Sequence, residues 1–529
     1  MRRWNGWGDE AYTYPLSATS LGFLVEEVGP GTAPQDASLE DVLATVPSTR
    51  LSPHPLISTD PEDRLRHSRG QSLPDWIALR SGRIPAFPDG VAYPRSESDV
   101  AEILRYARAT GTRLIPYGGG TSVVGHINVQ DTGDSTVSVD MSRMSELISL
   151  DERSRLATFG PGVRGPELEA SLRARGYTLG HYPQSFEYST LGGWIHSRSS
   201  GQQCLGYGRI ERLFSGGKVE TPEGPLVLPT FPASAAGPDL KELVLGSEGR
   251  LGIMTEATVR VCPVPEVEDF QAAFFPDFQH GVSAIIDMVT SRIPLSMLRL
   301  STPQETRTTL AMAGHERLIG LLEKYLGYRG VREEKCMLIF ASSGDRSLVR
   351  FAMTRARDAI WAHRGINVGR SFGREWVKNR FRTPYLRNTL WEAGYAADTL
   401  ETATTWDRLP ELLRAVETAL CNGLSHVGEK VLVFSHLSHV YTHGSSIYTT
   451  YVFRLAQDAQ ENLERWRTLK RAASLAIVSN GGTISHHHGV GTDHLPYLVT
   501  EKGRLGLKLL SGLIGTLDPL GIMNPTKLV

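Results

Sequence analysis

Three consecutive imidazoles, His486, His487 and His488, sit between Gly482 and the glycines Gly489 and Gly491. Histidine titrates near neutrality, so a cluster of them can move protons at physiological pH. The flanking glycines predict a tight turn at a site rather than a regular element. A metal patch or a surface His tract is the plainer alternative. Metal ligands come spaced so that two face one point, whereas neighbours on an extended chain point apart. No acidic or Cys residue lies beside the triplet, so no metal is expected there.

A second chemical segment lies far upstream, at Pro116, Tyr117, Gly118, Gly119, Gly120, Thr121 and Ser122. Consecutive glycines let backbone N–H groups turn toward an anion, and Thr121 and Ser122 add hydroxyl donors. A diphosphate is the natural guest. The run is neither a Gly-Lys-Ser/Thr phosphate loop nor the GxGxxG dinucleotide fingerprint. The elements around it are legible. Ser96 or Ser98 can cap a helix whose apolar face is Val100, Ile103, Leu104 and Ala107. Thr112 to Ile115 then reads as a short strand running into the glycines.

Further segments share this character, each beside a β-like run. One is Gln184, Ser185, Phe186, Glu187, Tyr188, Ser189 and Thr190, followed by Ser197, Arg198, Ser199 and Ser200. Another is Glu248, Gly249, Arg250, Leu251, Gly252, Ile253 and Met254. Together they suit a cofactor wrapped by backbone. At these residues the chain resembles the PCMH-type FAD-binding domain of the vanillyl-alcohol-oxidase flavoprotein superfamily. Within that superfamily it most resembles the alkyldihydroxyacetonephosphate (alkylglycerone-phosphate) synthase family. The likeness runs from Trp4-Asn5-Gly6-Trp7-Gly8 through Gly192-Gly193-Trp194 and Trp406-Asp407-Arg408 to the His triplet. The 2-hydroxy-acid oxidases of the superfamily carry Gly-Glu-His-Gly where this chain has three histidines.

The resemblance implies an α+β architecture: a two-subdomain FAD-binding domain, an α/β cap with an antiparallel sheet, and a C-terminal segment returning to the flavin. The boundaries read as 1–85 for an N-terminal segment, 86–265 for the FAD domain, 266–470 for the cap and 471–529 for the tail. Within the first segment, Gly29 to Asp36 reads as a mobile loop. It further implies exchange of the acyl chain of 1-acyl-dihydroxyacetone phosphate for a fatty alcohol, through a flavin N5 adduct and without net redox. The alternative is an FAD-linked dehydrogenase or oxidase of a 2-hydroxy acid.

Individual residues inherit expectations from the same likeness. Tyr448, in a strand where Ile447 and Thr449 face the other way, falls on the family's catalytic tyrosine. His486, His487 and His488 share proton transfer with it. Arg387 falls on a substrate-contacting arginine, and a guanidinium fork suits a carboxylate or phosphate. Arg299, flanked by apolar residues, falls on an arginine needed for activity. Covalent members of the superfamily carry a His in the Gly-rich loop, and this loop has none, so FAD is expected to be non-covalent. His126, a few residues on, is expected to be structural. Thr492, Asp493 and His494 stand where animal synthases carry basic residues, which would weaken the grip on a substrate phosphate.

Composition sets the outer limits. The chain has 529 residues, 40% hydrophobic and 21% charged, with a formal net charge of −1. No basic excess points to nucleic acid, and no apolar run is long enough to span a bilayer. With no leader after Met1 and no peroxisomal tripeptide, a cytoplasmic location is expected. Cys204, Cys262, Cys336 and Cys421 are dispersed and read as buried structural thiols. A lipid-like substrate leaves room for peripheral membrane contact, although no single amphipathic helix announces itself. A homodimer is expected by family analogy.

Overall fold

The computed structural model describes residues 1–312 and 316–529. Helix Glu97–Thr110 starts where Ser96 Oγ accepts from the Asp99 N–H and stops at Gly111, whose φ of 72° suits glycine. Its buried face is Val100, Ile103, Leu104 and Ala107, the spacing expected of an amphipathic helix. Strand Arg113–Tyr117 follows and lies parallel to Thr136–Asp140, inside a four-stranded sheet completed by Gly90–Ala92 and Ile57–Ser58. The triglycine turn therefore leaves the carboxyl end of a parallel strand, the edge where open α/β sheets bind ligands.

A second sheet, antiparallel, runs in the order Leu147–Asp151, Leu156–Phe159, Ile253–Arg260, Phe214–Thr221, Gly224–Leu228. The third sheet is the cap. Its seven antiparallel strands run Ile366–Gly369, Val267–Phe275, Cys336–Gly344, Met297–Ser301, Val431–Tyr441, Gly444–Arg454, Tyr395–Thr405. Leu400, Leu437 and Ile447 turn into an apolar core shared with helices Phe278–Thr290, Arg346–Ala362 and Leu409–Asn422. Strand alternation then sends Glu401, His436 and Tyr448 to the opposite face. Register sets these three side by side, Glu401 opposite Tyr448 and Tyr448 opposite His436.

Both chain ends tie the layers together. Trp7 N donates to Asn388 Oδ1 at 3.1 Å and Asn388 Nδ2 donates back to Trp7 O at 2.9 Å. Near the other end, Leu114 N donates to Ile522 O at 2.8 Å and Asn524 N donates to Leu114 O at 2.7 Å, extending the first sheet.

Three expectations change. The Gly29–Asp36 segment is strapped down, because Gly31 N donates to Tyr395 Oη at 3.0 Å and Asp36 pairs with Arg80 at 2.7 Å. The thiols are not uniformly buried: Cys204 and Cys336 are, Cys262 is half-buried, and Cys421 is exposed on the outer face of its helix. An amphipathic helix is present after all. Leu498–Leu517 exposes Leu505 and Leu509 beside Arg504 and Lys508, a face masked in the sequence by the positive-φ kink at Gly503. Among the described residues, no helix is long and apolar enough to cross a membrane.

Candidate active site and cofactor cradle

The segment just after the early glycines meets the turn just after the late histidines. A Cβ at Gly489 would stand 2.2 Å from His126 Nε2, and one at Gly491 would stand 1.9 Å from Val124 O. Thr492 N donates to Val124 O at 2.9 Å. Glu248 binds the same turn, its carboxylate accepting from Gly491 N at 2.9 Å and from Val490 N. Burial works to raise the Glu248 carboxyl, but His126 and those two N–H groups outweigh it and hold it below its ordinary range. His126, 3.1 Å from Glu248, has the structural place expected of it.

Around the turn, backbone packs so closely that side chains are excluded. A Cβ at Gly118 would lie 2.3 Å from Thr190 Oγ1, and one at Gly119 would lie 1.8 Å from Tyr188 O. Arg2 Nη2 donates to Gly119 O at 2.6 Å, so the N-terminal motif braces the loop from outside. The N–H groups of Gly119, Gly120, Thr121 and Ser122 meet no acceptor among the described residues. Nearby, Thr255 Oγ1 and two guanidinium nitrogens of Arg69 are buried without a partner. Aligned free donors plus unpaired cationic nitrogens are what a diphosphate would satisfy, so these residues fit FAD.

The other expected cofactor residues have intramolecular partners of their own. Phe186 stacks on Phe381 at 4.9 Å, and Arg198 pairs with Glu242. Ser189 accepts from Trp194 Nε1 at 2.7 Å, Thr190 caps helix Leu191–Ser197, and Ser197 Oγ donates to Gly193 O. Gln184 spans to Arg380 O, and Tyr188 meets Tyr385. Arg250 Nη1 donates to Met523 O, while Leu251, Ile253 and Met254 are core residues.

The catalytic face gathers Tyr448 and the triplet. Tyr448 stacks on His436 at 5.0 Å and 21°, and meets the His488 ring edge-on at 6.0 Å. Burial pushes the Tyr448 phenol up to about 12, so it stays protonated at neutral pH. Burial likewise pushes His488 well below its usual value, leaving a neutral imidazole whose Nδ1 has no partner. A protonated phenol thus faces a neutral base.

His486 and His487 instead converge on Glu401. His486 Nδ1 lies 3.4 Å from Glu401 Oε1, His487 Nδ1 contacts Oε2, and His439 Nε2 lies 3.7 Å from Oε1. Ser438 Oγ donates to the same carboxylate at 2.6 Å. Burial opposes ionisation of Glu401, but the fields of His487, His439 and His486 outweigh it and hold it well below its ordinary range. These four groups each offer a ligand atom within 4.8 Å of the others, a donor set of metal-binding type that the sequence did not disclose. Arg209 Nη1, however, donates to His486 Nε2 at 3.0 Å, and Tyr441 Oη lies 2.7 Å from the same atom. The His486 ring hydrogen then sits on Nδ1, facing Glu401, and Arg209 supplies a positive charge. Glu401 thus sits among three imidazoles as their shared counter-charge, with Ser438 its hydrogen-bond donor.

The two arginines differ in place. Arg387 lies over the Trp76 ring at 4.4 Å and donates through Nη1 to Gln71 O at 2.8 Å, leaving Nη2 buried and unpaired. Arg299 is engaged by neighbouring side chains. Its Nη2 bonds Glu305 at 2.7 Å and His436 Nδ1 at 3.2 Å, beneath the ring on which Tyr448 stacks. The expectation of a catalytic Arg299 becomes that of a positioning residue. Burial would raise Glu305, yet Arg299 and His436 bring it down to about 2. Glu401, His436, His439, Arg209 and Glu305 carried no local signal in the sequence.

Residues 88–228 match the FAD binding domain family, and residues 264–528 match the C-terminal domain of FAD linked oxidases. An alkyldihydroxyacetonephosphate synthase of Dictyostelium discoideum is 31% identical, over 100% of this chain and 93% of that protein. One from Caenorhabditis elegans is 30% identical, over 93% of this chain and 83% of its own length. A solved structure of an alkyldihydroxyacetonephosphate synthase superposes with a TM-score of 0.85 at 29% identity, covering 99% of this chain and 98% of that one.

Proposed function

This chain belongs to the alkyldihydroxyacetonephosphate synthase family of FAD-linked flavoproteins, and from that premise we propose how its own residues divide the work. It is an FAD-dependent enzyme of the alkylglycerone-phosphate synthase type. In the reaction, the bond between the dihydroxyacetone carbon and its acyloxy oxygen breaks, so that the fatty acid leaves as a carboxylate. A fatty alcohol forms the new C–O bond and gives up its proton. When bound, FAD supplies an electron-rich ring at the reacting carbon, with no net gain of electrons.

The chain's residues handle protons and charge. The neutral imidazole of His488 accepts a proton at Nδ1, the atom left unpaired beside Tyr448. The Tyr448 phenol, protonated at neutral pH, donates to the departing carboxylate oxygen, and the phenolate so left takes the proton of the entering alcohol. His486 and His487 are held by Glu401 so that a proton reaching them is stabilised by a buried carboxylate. Arg387 offers its free Nη2 to an anionic group of the substrate. Arg299 acts through His436, fixing the ring under Tyr448. FAD is held without a covalent bond, because the glycine-rich turn of residues 116–122 carries no histidine to attach it.

The single observation that carries this reading is the protonated phenol of Tyr448 set against the neutral, unpaired His488. Incubation with acyl-dihydroxyacetone phosphate and a long-chain alcohol, anaerobically and without an electron acceptor, tests it. Ether product is expected. Turnover confined to 2-hydroxy acids with a dye acceptor would replace the reading by a dehydrogenase.

A further inference from the structure

The N-terminal motif Trp4-Asn5-Gly6-Trp7-Gly8 takes no part in the chemistry above. It is nevertheless fixed on every side. A Cβ at Gly6 would stand 2.5 Å from Asn388 Oδ1, and one at Gly8, where φ is 80°, would stand 2.1 Å from the Tyr385 ring. Asn5 O accepts from Arg80 Nε at 3.0 Å, and Gly6 O accepts from Gln71 Nε2 at 3.4 Å. Arg3 N donates to Gly8 O at 2.8 Å, closing residues 3–8 into a loop. At the base of that loop stands Arg2.

Arg2 joins the loop to the phosphate turn. Arg66 Nη1 donates to Arg2 O at 3.0 Å, and the Arg2 guanidinium lies 5.2 Å from the centre of the Tyr188 ring. Trp7 meets the same ring edge-on at 5.6 Å. From this seat Arg2 Nη2 donates to Gly119 O at 2.6 Å. A planar trans peptide sends its C=O and the N–H of the next residue to opposite sides. With the Gly119 carbonyl held by Arg2, the Gly120 N–H is turned away from Arg2, and it meets no acceptor among the described residues. A peptide between two glycines turns over readily, because neither residue has a Cβ to resist. Turned over, it would set a carbonyl oxygen against an anion in place of a donor.

We infer that Arg2 is a positioning residue for the cofactor: it holds the Gly119–Gly120 peptide in one orientation and so aims the Gly120 N–H at the FAD diphosphate. It acts through the peptide, from the outer side of the turn. Its charge also polarises that peptide, which strengthens the N–H as a donor. The role concerns FAD alone and is independent of the reaction the loaded enzyme runs.

The test dilutes FAD-loaded protein in steps, reads the Kd from the rise of free-flavin fluorescence, and measures thermal unfolding at saturating FAD. Arg2→Met keeps an apolar stem over Tyr188 and is expected to raise the Kd about tenfold or more, with unfolding at saturating FAD near wild type. Arg2→Lys keeps the charge and a donor and is expected to recover part of the affinity. Should Arg2→Met not fold, Arg2→Ala takes its place with the same expected rise. A wild-type Kd overturns the inference. So does a lower unfolding temperature at saturating FAD with the Kd unchanged, which would leave Arg2 a packing residue only. A Gly119–Gly120 peptide unmoved in the crystal structure of Arg2→Met overturns it as well.

Discussion

Replacing Glu401 by Gln keeps the shape of the side chain and removes its charge. In the native protein the carboxylate accepts from Ser438 at 2.6 Å and faces His486, His487 and His439. The amide oxygen of Gln can keep the Ser438 bond, but its NH2 then points at imidazole N–H groups. Two charge-assisted contacts are lost and a donor is set against a donor, a cost of about 3–5 kcal/mol when one partner of a buried charged set is removed. The cost should depend on pH. Glu401 is held well below its ordinary value, so its stabilisation is complete above the unfolded pKa of about 4.3 and is lost as pH falls toward the folded one. Equilibrium urea unfolding of wild type and Glu401→Gln, from pH 7 to pH 3, should show a gap that is constant down to about pH 5 and narrows below pH 4. The same variant should lose turnover, because His486 and His487 no longer have a buried anion to steady an imidazolium. A variant as stable as wild type at pH 7, or a gap that widens in acid, would refute this account of the cluster.

Tyr448→Phe keeps the ring stacked on His436 but removes the hydroxyl, and kcat should fall about 100-fold or more, the span of one positioned acid–base group. Thermal unfolding should stay near wild type, and activity within threefold of wild type would remove Tyr448 from the chemistry. Gly119→Ala forces a Cβ to 1.8 Å from Tyr188 O, so the phosphate turn must open and FAD should be lost on gel filtration; full flavin retention would contradict the cradle. Acid precipitation of the wild type should leave flavin in the supernatant, since the glycine-rich turn of residues 116–122 carries no histidine to attach it; a yellow pellet would show a covalent bond.

The sequence by itself determined the local devices. Ser96 with Val100, Ile103, Leu104 and Ala107 specified a capped helix, and Gly118–Gly120 after a short strand specified an anion-binding turn, because caps, periodicity and glycine act over a few residues. Tyr448, Arg387 and the His triplet were visible as residue types joined by a family likeness. Only tertiary structure decided what those side chains face. Glu401, Tyr448 and His436 are neighbours through strand register, a property of pairing among three strands and not of any one of them. His439 joins them across a register shift between Leu437 and Val440. Arg299 looked like a site arginine and proved to be a partner of Glu305 and His436. Charge and burial of a long side chain depend on what the rest of the chain packs around it, and no local pattern records that.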